Sequence, residues 1–134
     1  MSTRGTIGRL NSDGSVDSVY CHFDAYPEAL GEILMVYHSS DKDVNHIIEL
    51  GDTSYIDINL DPKTDLHSWE NPEENCSVFY NRDRGYSDTE ADHWNNVRTW
   101  LHDAPTTYSA DFMYLWNGSY WECWNWDGES IDIY

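Results

Sequence analysis

Six histidines, three cysteines and 25 carboxylates are the groups with chemistry to offer in this 134-residue chain. His22-Phe23-Asp24-Ala25-Tyr26-Pro27 sets an imidazole two residues from a carboxylate, the pairing of a general base with an acid. Asn81-Arg82-Asp83-Arg84-Gly85 would supply guanidiniums as an anion clamp opposite it. Arg4, Arg9, Arg82 and Arg84 also suit a structural ion network that neutralises Asp24, Asp83 and other carboxylates at a strand-to-helix corner, and the network is the favoured reading. A pocket built from His22, Asp24, Arg82 and Arg84 is the alternative, and it would make the chain a small enzyme or ligand binder. Asp57-x-Asn59-x-Asp61 opens like a calcium loop, but Pro62 stands where glycine is needed and Ser68 where a bidentate Glu is needed. There is no HxxxH or HExxH pair, no CxxC, no P-loop and no GxSxG. The reading therefore names no catalytic residue, no metal and no cofactor. Cys21, Cys76 and Cys123 are odd in number and widely spaced, and read as buried thiols of a reducing compartment.

Charge is the most specific feature. Seven basic side chains face 25 acidic ones, for a formal charge of −18. A mixed-sign surface on a small domain usually carries a magnitude of about 2–8. The acids run through the chain instead of forming a tail: residues 41–74 hold ten acids and two lysines, and residues 99–134 hold six acids and no Lys or Arg. The charge argues against direct binding to nucleic acid or to an anionic membrane, since both need clustered cations. A fold that works against its own repulsion suggests a use for the charge. One use is imitation of DNA: at one charge per ~1.7 Å, 18 charges match about 30 Å of duplex. Halophily and plain solubility are the competing explanations. The expected contacts are Asp57, Asp61, Asp65, Glu70, Glu73 and Glu74, with Asp88, Glu90 and Asp92 as a second patch.

The elements that would position these groups can be read from periodicity. Thr6–Leu10 and Val16–His22 flank the turn Asn11-Ser12-Asp13-Gly14 and make a hairpin. A helix opens at Pro27 and buries Leu30, Ile33, Leu34 and Tyr37. A second starts at Ser40, buries Val44, Ile47 and Ile48, and ends at Gly51. Tyr55–Leu60 alternates as a strand, residues 61–75 form a long acidic loop, and Cys76–Asn81 is another strand. Ser87 or Asp88 caps a third helix carrying Trp94, Val97 and Leu101, with Pro105 beyond its end. Phe112–Trp116 and Ser119–Trp126 flank Asn117-Gly118, the signature of a type I′ hairpin, and Ile131 and Ile133 add a last strand. The order predicts a single α+β domain over residues 1–134, an antiparallel sheet built from N- and C-terminal hairpins with about three helices on one face.

Seven tryptophans and ten tyrosines call for burial or for binding. In the last hairpin Trp121 and Cys123 lie on one face, and Tyr120, Glu122 and Trp124 on the other. Either helices cover both faces, or one face is a binding surface anchored by Trp121 or Trp124.

Thr3-Arg4-Gly5, Tyr20-Cys21-His22-Phe23-Asp24-Ala25-Tyr26-Pro27, Leu30-Gly31 and Ile48-Glu49-Leu50-Gly51-Asp52 resemble small uncharacterised proteins of bacteriophages and prophages. Those proteins carry a TRG start, an HxDxYPxxLG segment and an LGD-type helix end. Tyr80–Gly85 and the aromatic hairpin are also similar to that group. The resemblance implies a phage origin and a role in the cytoplasm of an infected bacterium, and it transfers no catalytic residues. Small acidic phage proteins often disable host nucleases, including CRISPR and restriction systems. The expectation is thus an acidic inhibitor, a DNA mimic whose partner is a host protein with a basic nucleic-acid-binding groove. The chain has no apolar N-terminal core or spanning stretch, so it is expected to be soluble, away from any membrane.

Overall fold

The computed structural model describes residues 2–134. β1 (Gly5–Leu10) and β2 (Val16–Cys21) form the expected antiparallel hairpin, from Gly5 opposite Cys21 to Leu10 opposite Val16. Asp13 fastens its turn by accepting from the Ser15 N–H at 2.9 Å. A π-helical turn, Pro27–Gly31, leads into α1 (Glu32–Tyr37), and α2 (Asp41–Leu50) follows. Ser40 caps α2 as expected, its hydroxyl accepting from the Asp43 N–H at 3.2 Å. Then come β3 (Thr53–Tyr55), β4 (Val78–Phe79), α3 (Tyr80–Arg84), β5 (Asp92–Trp94), α4 (Val97–Tyr108), β6 (Phe112–Trp116), β7 (Trp121–Asn125) and β8 (Ser130–Ile131).

The fold is α+β, with one open sheet ordered β4-β3-β2-β1-β6-β7-β8 and β5 paired to β2. The sheet is mixed, not antiparallel. β1 runs parallel to β6, and β2 parallel to β3. The two helices between β2 and β3 are the long crossover that parallel neighbours need. Helices cover both faces, not one. On the first face the π-helical turn, α1 and α2 bring Leu30, Leu34, Val44, Ile47 and Ile48 onto Ile7, Val19, Cys21, Tyr114 and Trp121. On the second, α4 brings Trp100 and Ala104 onto Val16, Met113 and Leu115. Alternation along β6 feeds both: Tyr114 and Trp116 to one, Met113 and Leu115 to the other. Gly8 makes room for the Trp100 ring, since a Cβ there would stand 3.0 Å from it.

Several local expectations give way. The strand expected over Tyr55–Leu60 stops at Tyr55; beyond it only Asn59 bridges to Cys76. Cys76–Asn81 is a strand at Val78–Phe79 alone, because Tyr80 begins a helical turn. Asn96, not Ser87 or Asp88, caps the third long helix by accepting from the Thr99 N–H at 2.8 Å, and Trp94 belongs to a strand. Pro105 lies inside that helix; burial of Trp100 and Ala104 carries the helix past the missing N–H. The β6–β7 turn is wider than type I′. Only Gly118 takes a positive φ, while the Asn117 side-chain oxygen accepts from the Ser119 and Tyr120 N–H groups at 2.9 and 3.0 Å. Among the described residues no helix is long and apolar enough to cross a membrane.

Candidate partner-binding surface

The acidic loop of residues 56–77 has almost no regular structure, so its shape depends on side chains. Its base closes where Ser77 N–H donates to the Asn59 carbonyl at 2.8 Å and Asn59 N–H to the Asn75 carbonyl at 2.9 Å. The Ser77 hydroxyl accepts from the Asp57 N–H at 2.8 Å. The buried His38 meets the Asp57 carbonyl through Nε2 at 2.8 Å. Within the loop the Glu73 carboxylate gathers the Lys63 and Thr64 N–H groups, each at 2.9 Å. These donors hold its carboxyl below the usual range.

Arg82 and Asp83 anchor the loop from the α3 side. Arg82 donates to Asp83 at 2.9 and 3.0 Å, to Asp61 at 3.0 Å, and to the Leu60 and Ser77 carbonyls at 2.8 and 3.0 Å. Burial opposes the Asp83 charge, but Arg82, the Phe79 N–H and His67 outweigh it and hold the carboxyl below its ordinary value. His67 accepts the Glu73 N–H on Nδ1 at 2.9 Å, so Nε2 carries the proton and faces Asp83 at 3.2 Å. The Arg82–Asp83 pair is thus one part of the ion network favoured by the sequence; Asp24, expected in it, makes no ion pair among the described residues.

The second acidic segment lies against the same end of the sheet. Asp52 N–H donates to the Thr89 carbonyl at 2.8 Å. Gly51 permits this approach: a Cβ there would stand 2.3 Å from the Thr89 oxygen, and its φ is +86°. β5 then pairs with β2. An aromatic seam joins this segment to the acidic loop. Arg84 lies over Trp69 at 4.1 Å and over Tyr86 at 4.6 Å, and Tyr80 packs on both rings.

The expected contact residues differ in what they leave free. Asp65, Glu70, Glu74, Asp88 and Glu90 are exposed and make no ion pair among the described residues. Asp92 is exposed and accepts the Tyr108 hydroxyl. Asp61 is shared between Arg82 and His46, the latter at 2.7 Å. Glu73 serves as the clasp of its own loop. Asp57 turns one oxygen to the Ile58 N–H at 2.7 Å. Behind Glu90 and Asp92, the Asp52 carboxyl is pushed up to about 6, by burial first and then by those two charges; the Tyr20 N–H it accepts opposes this.

The His22, Asp24, Arg82 and Arg84 side chains share no hydrogen bond or ion pair among the described residues. His22 meets the Tyr20 hydroxyl at 2.5 Å, and burial, aided by Arg4, lowers its pKa. Arg82 and Arg84 are engaged as described. No group of three or more His, Cys, Asp or Glu among the described residues is arranged to hold a metal. The three cysteines are free and buried, and burial pushes the Cys21 and Cys123 thiols up to about 12.

Trp121 cannot anchor a partner: it is 1% exposed, tilted against Trp116, and its Nε1 donates to the His38 carbonyl at 3.3 Å. Trp124 packs edge-on against Trp100 on the opposite face. Both faces of the hairpin are therefore covered by helices. The exposed rings are Tyr120 and Trp126, at 53% and 62%. Trp69 and Tyr86 were not singled out in the sequence; their nearness to arginine in space has no period along the chain. No family model, curated protein or solved structure matches this chain.

Proposed function

We propose that this protein is an acidic inhibitor that occupies the basic nucleic-acid-binding groove of a partner protein by presenting DNA-like charge. In the finer form of the proposal it is phage-encoded and its partner belongs to a bacterial defence complex of CRISPR or restriction type. One observation carries the reading: two acidic segments, fastened to one end of the sheet and to each other, hold exposed carboxylates that pair with no cation among the described residues. The nearby guanidiniums are already engaged, Arg82 by Asp83 and Asp61 and Arg84 by aromatic rings. A fixed array of this kind would shed its own counterions on docking as a duplex does, with little ordering cost. Asp65, Glu70 and Glu74, with Asp88, Glu90 and Asp92, would make the contacts.

The test is retention of a bacterial nucleic-acid-binding protein on the immobilised chain. The proposal expects added duplex DNA to displace that protein, and Asp65→Asn with Glu70→Gln and Glu74→Gln to weaken retention. Retention indifferent to DNA and to those substitutions contradicts it.

A further inference from the structure

Between β2 and α1 the chain forms one wall of an open groove of about 400 Å³, within the range of roughly 300–1,000 Å³ typical of ligand sites. Its apolar lining comes from Phe23, Leu30, Ile33, Tyr55 and Ile56. Phe23 is braced by the His22 ring, edge-on at 4.4 Å between centroids. The groove contains no basic side chain and two carboxylates, Asp24 and Asp57.

Neither carboxylate is ion-paired among the described residues. Asp24 sits in the left-handed region, φ +57°, which Asp tolerates better than most residues. Its side chain is exposed, with no hydrogen bond or ion pair among the described residues. The Asp57 backbone is pinned by Ser77 and His38, and only one carboxylate oxygen is used, on the Ile58 N–H. The groove is thus built in advance, with an apolar floor and unpaired negative charge.

That combination selects its occupant. A guanidinium on an aliphatic stem would lay the stem on Leu30 and Ile33, face an aromatic ring, and take a carboxylate in fork geometry. The geometry points to this groove as the docking site for an arginine-bearing apolar segment of a basic partner protein. The inference rests on the reading above for the class of partner, but its recognition is shape plus charge, not charge alone.

Two peptides of equal charge separate these: acetyl-Leu-Arg-Leu-Arg-Leu-amide and acetyl-Gly-Arg-Gly-Arg-Gly-amide, titrated into the full chain by methyl and amide NMR. The leucine peptide should bind about 5-fold tighter and shift the methyls of Leu30, Ile33 and Ile56. Asp24→Asn and Asp57→Asn should each weaken it about 5-fold, whereas Asp127→Asn should not. Asparagine keeps the left-handed backbone at 24 and the Ile58 acceptor at 57, so both variants should fold, which amide dispersion checks. Equal affinity for the two peptides, or shifts confined to residues 61–74, overturns the groove. The latter result leaves the charge-mimic reading standing, since DNA displacement of a retained partner reads that separately.

Discussion

In the C-terminal hairpin, residues 112–125, position is set by buried rings: Trp116 and Trp121 on one face of the sheet, Trp124 against Trp100 on the other. In the acidic loop, residues 56–77, position is set by polar clasps: Arg82 on four acceptor groups, Glu73 on two backbone N–H groups, His67 between Glu73 and Asp83. The hairpin turns Tyr114, Trp116 and Trp121 inward and of its rings leaves only Tyr120, at its turn, exposed. The loop is pinned by Arg82 from the neighbouring helical turn and leaves Asp65, Glu70 and Glu74 outward. The contrast shows one division of labour: apolar area stabilises the fold, while directional bonds hold a charged surface that apolar area cannot stabilise.

The largest effect should come from the hairpin. Trp121→Ala removes a buried ring and should cost about 3–5 kcal/mol in urea unfolding. A smaller loss would mean that the first-face core collapses around the gap. Arg82→Ala should cost less, about 2–3 kcal/mol, since the group is partly exposed but its loss leaves the buried Asp83 with only the Phe79 N–H and His67. Its distinguishing mark is spatial: amide exchange should rise across 57–77 and stay unchanged in 112–125. Equal rises in both regions would break the contrast.

Asp52 gives the next effect, and its sign can be worked out. Its folded-state pKa is raised from 3.8 to about 6, so the protonated form favours folding. That contribution is full below the ordinary value and lost as pH rises through the folded value. Asp52→Asn stays neutral and keeps the Tyr20 acceptor. It should therefore stabilise the protein at pH above about 7 by about 1–2 kcal/mol, after discounting for solvent screening, and by little near pH 4. A gain that is the same at both pH values would show that charge repulsion is not its source. The smallest effect on folding belongs to Glu73→Ala. It should speed exchange at the Lys63 and Thr64 amides without moving the global unfolding midpoint.

What the sequence disclosed follows the same contrast. The first hairpin, the α2 cap at Ser40 and the alternation in β6 and β7 are periodic or local, and they could be read. The parallel pairings could not, because alternation reports which face a residue takes and not which strand lies beside it. The strand expected over Tyr55–Leu60 failed because its alternation serves an irregular segment whose Asp57 backbone bonds to Ser77 and His38 instead of to a neighbouring strand. The acids of the loop were legible as charge. Which of them stay free was not, since that depends on Arg82, Glu73 and His67 meeting across the chain. Trp121 was misplaced as an anchor because an aromatic strand reads alike whether a helix covers it or not.

The central claim is that the unpaired carboxylates of residues 61–74 and 88–92 are the binding surface. The direct measurement is the salt dependence of partner affinity for the native chain beside the Asp65→Asn, Glu70→Gln, Glu74→Gln variant. The account predicts that log affinity falls linearly with log salt, and that the variant's slope is shallower by about 3. A flat salt dependence, or a variant with the native slope, would contradict it.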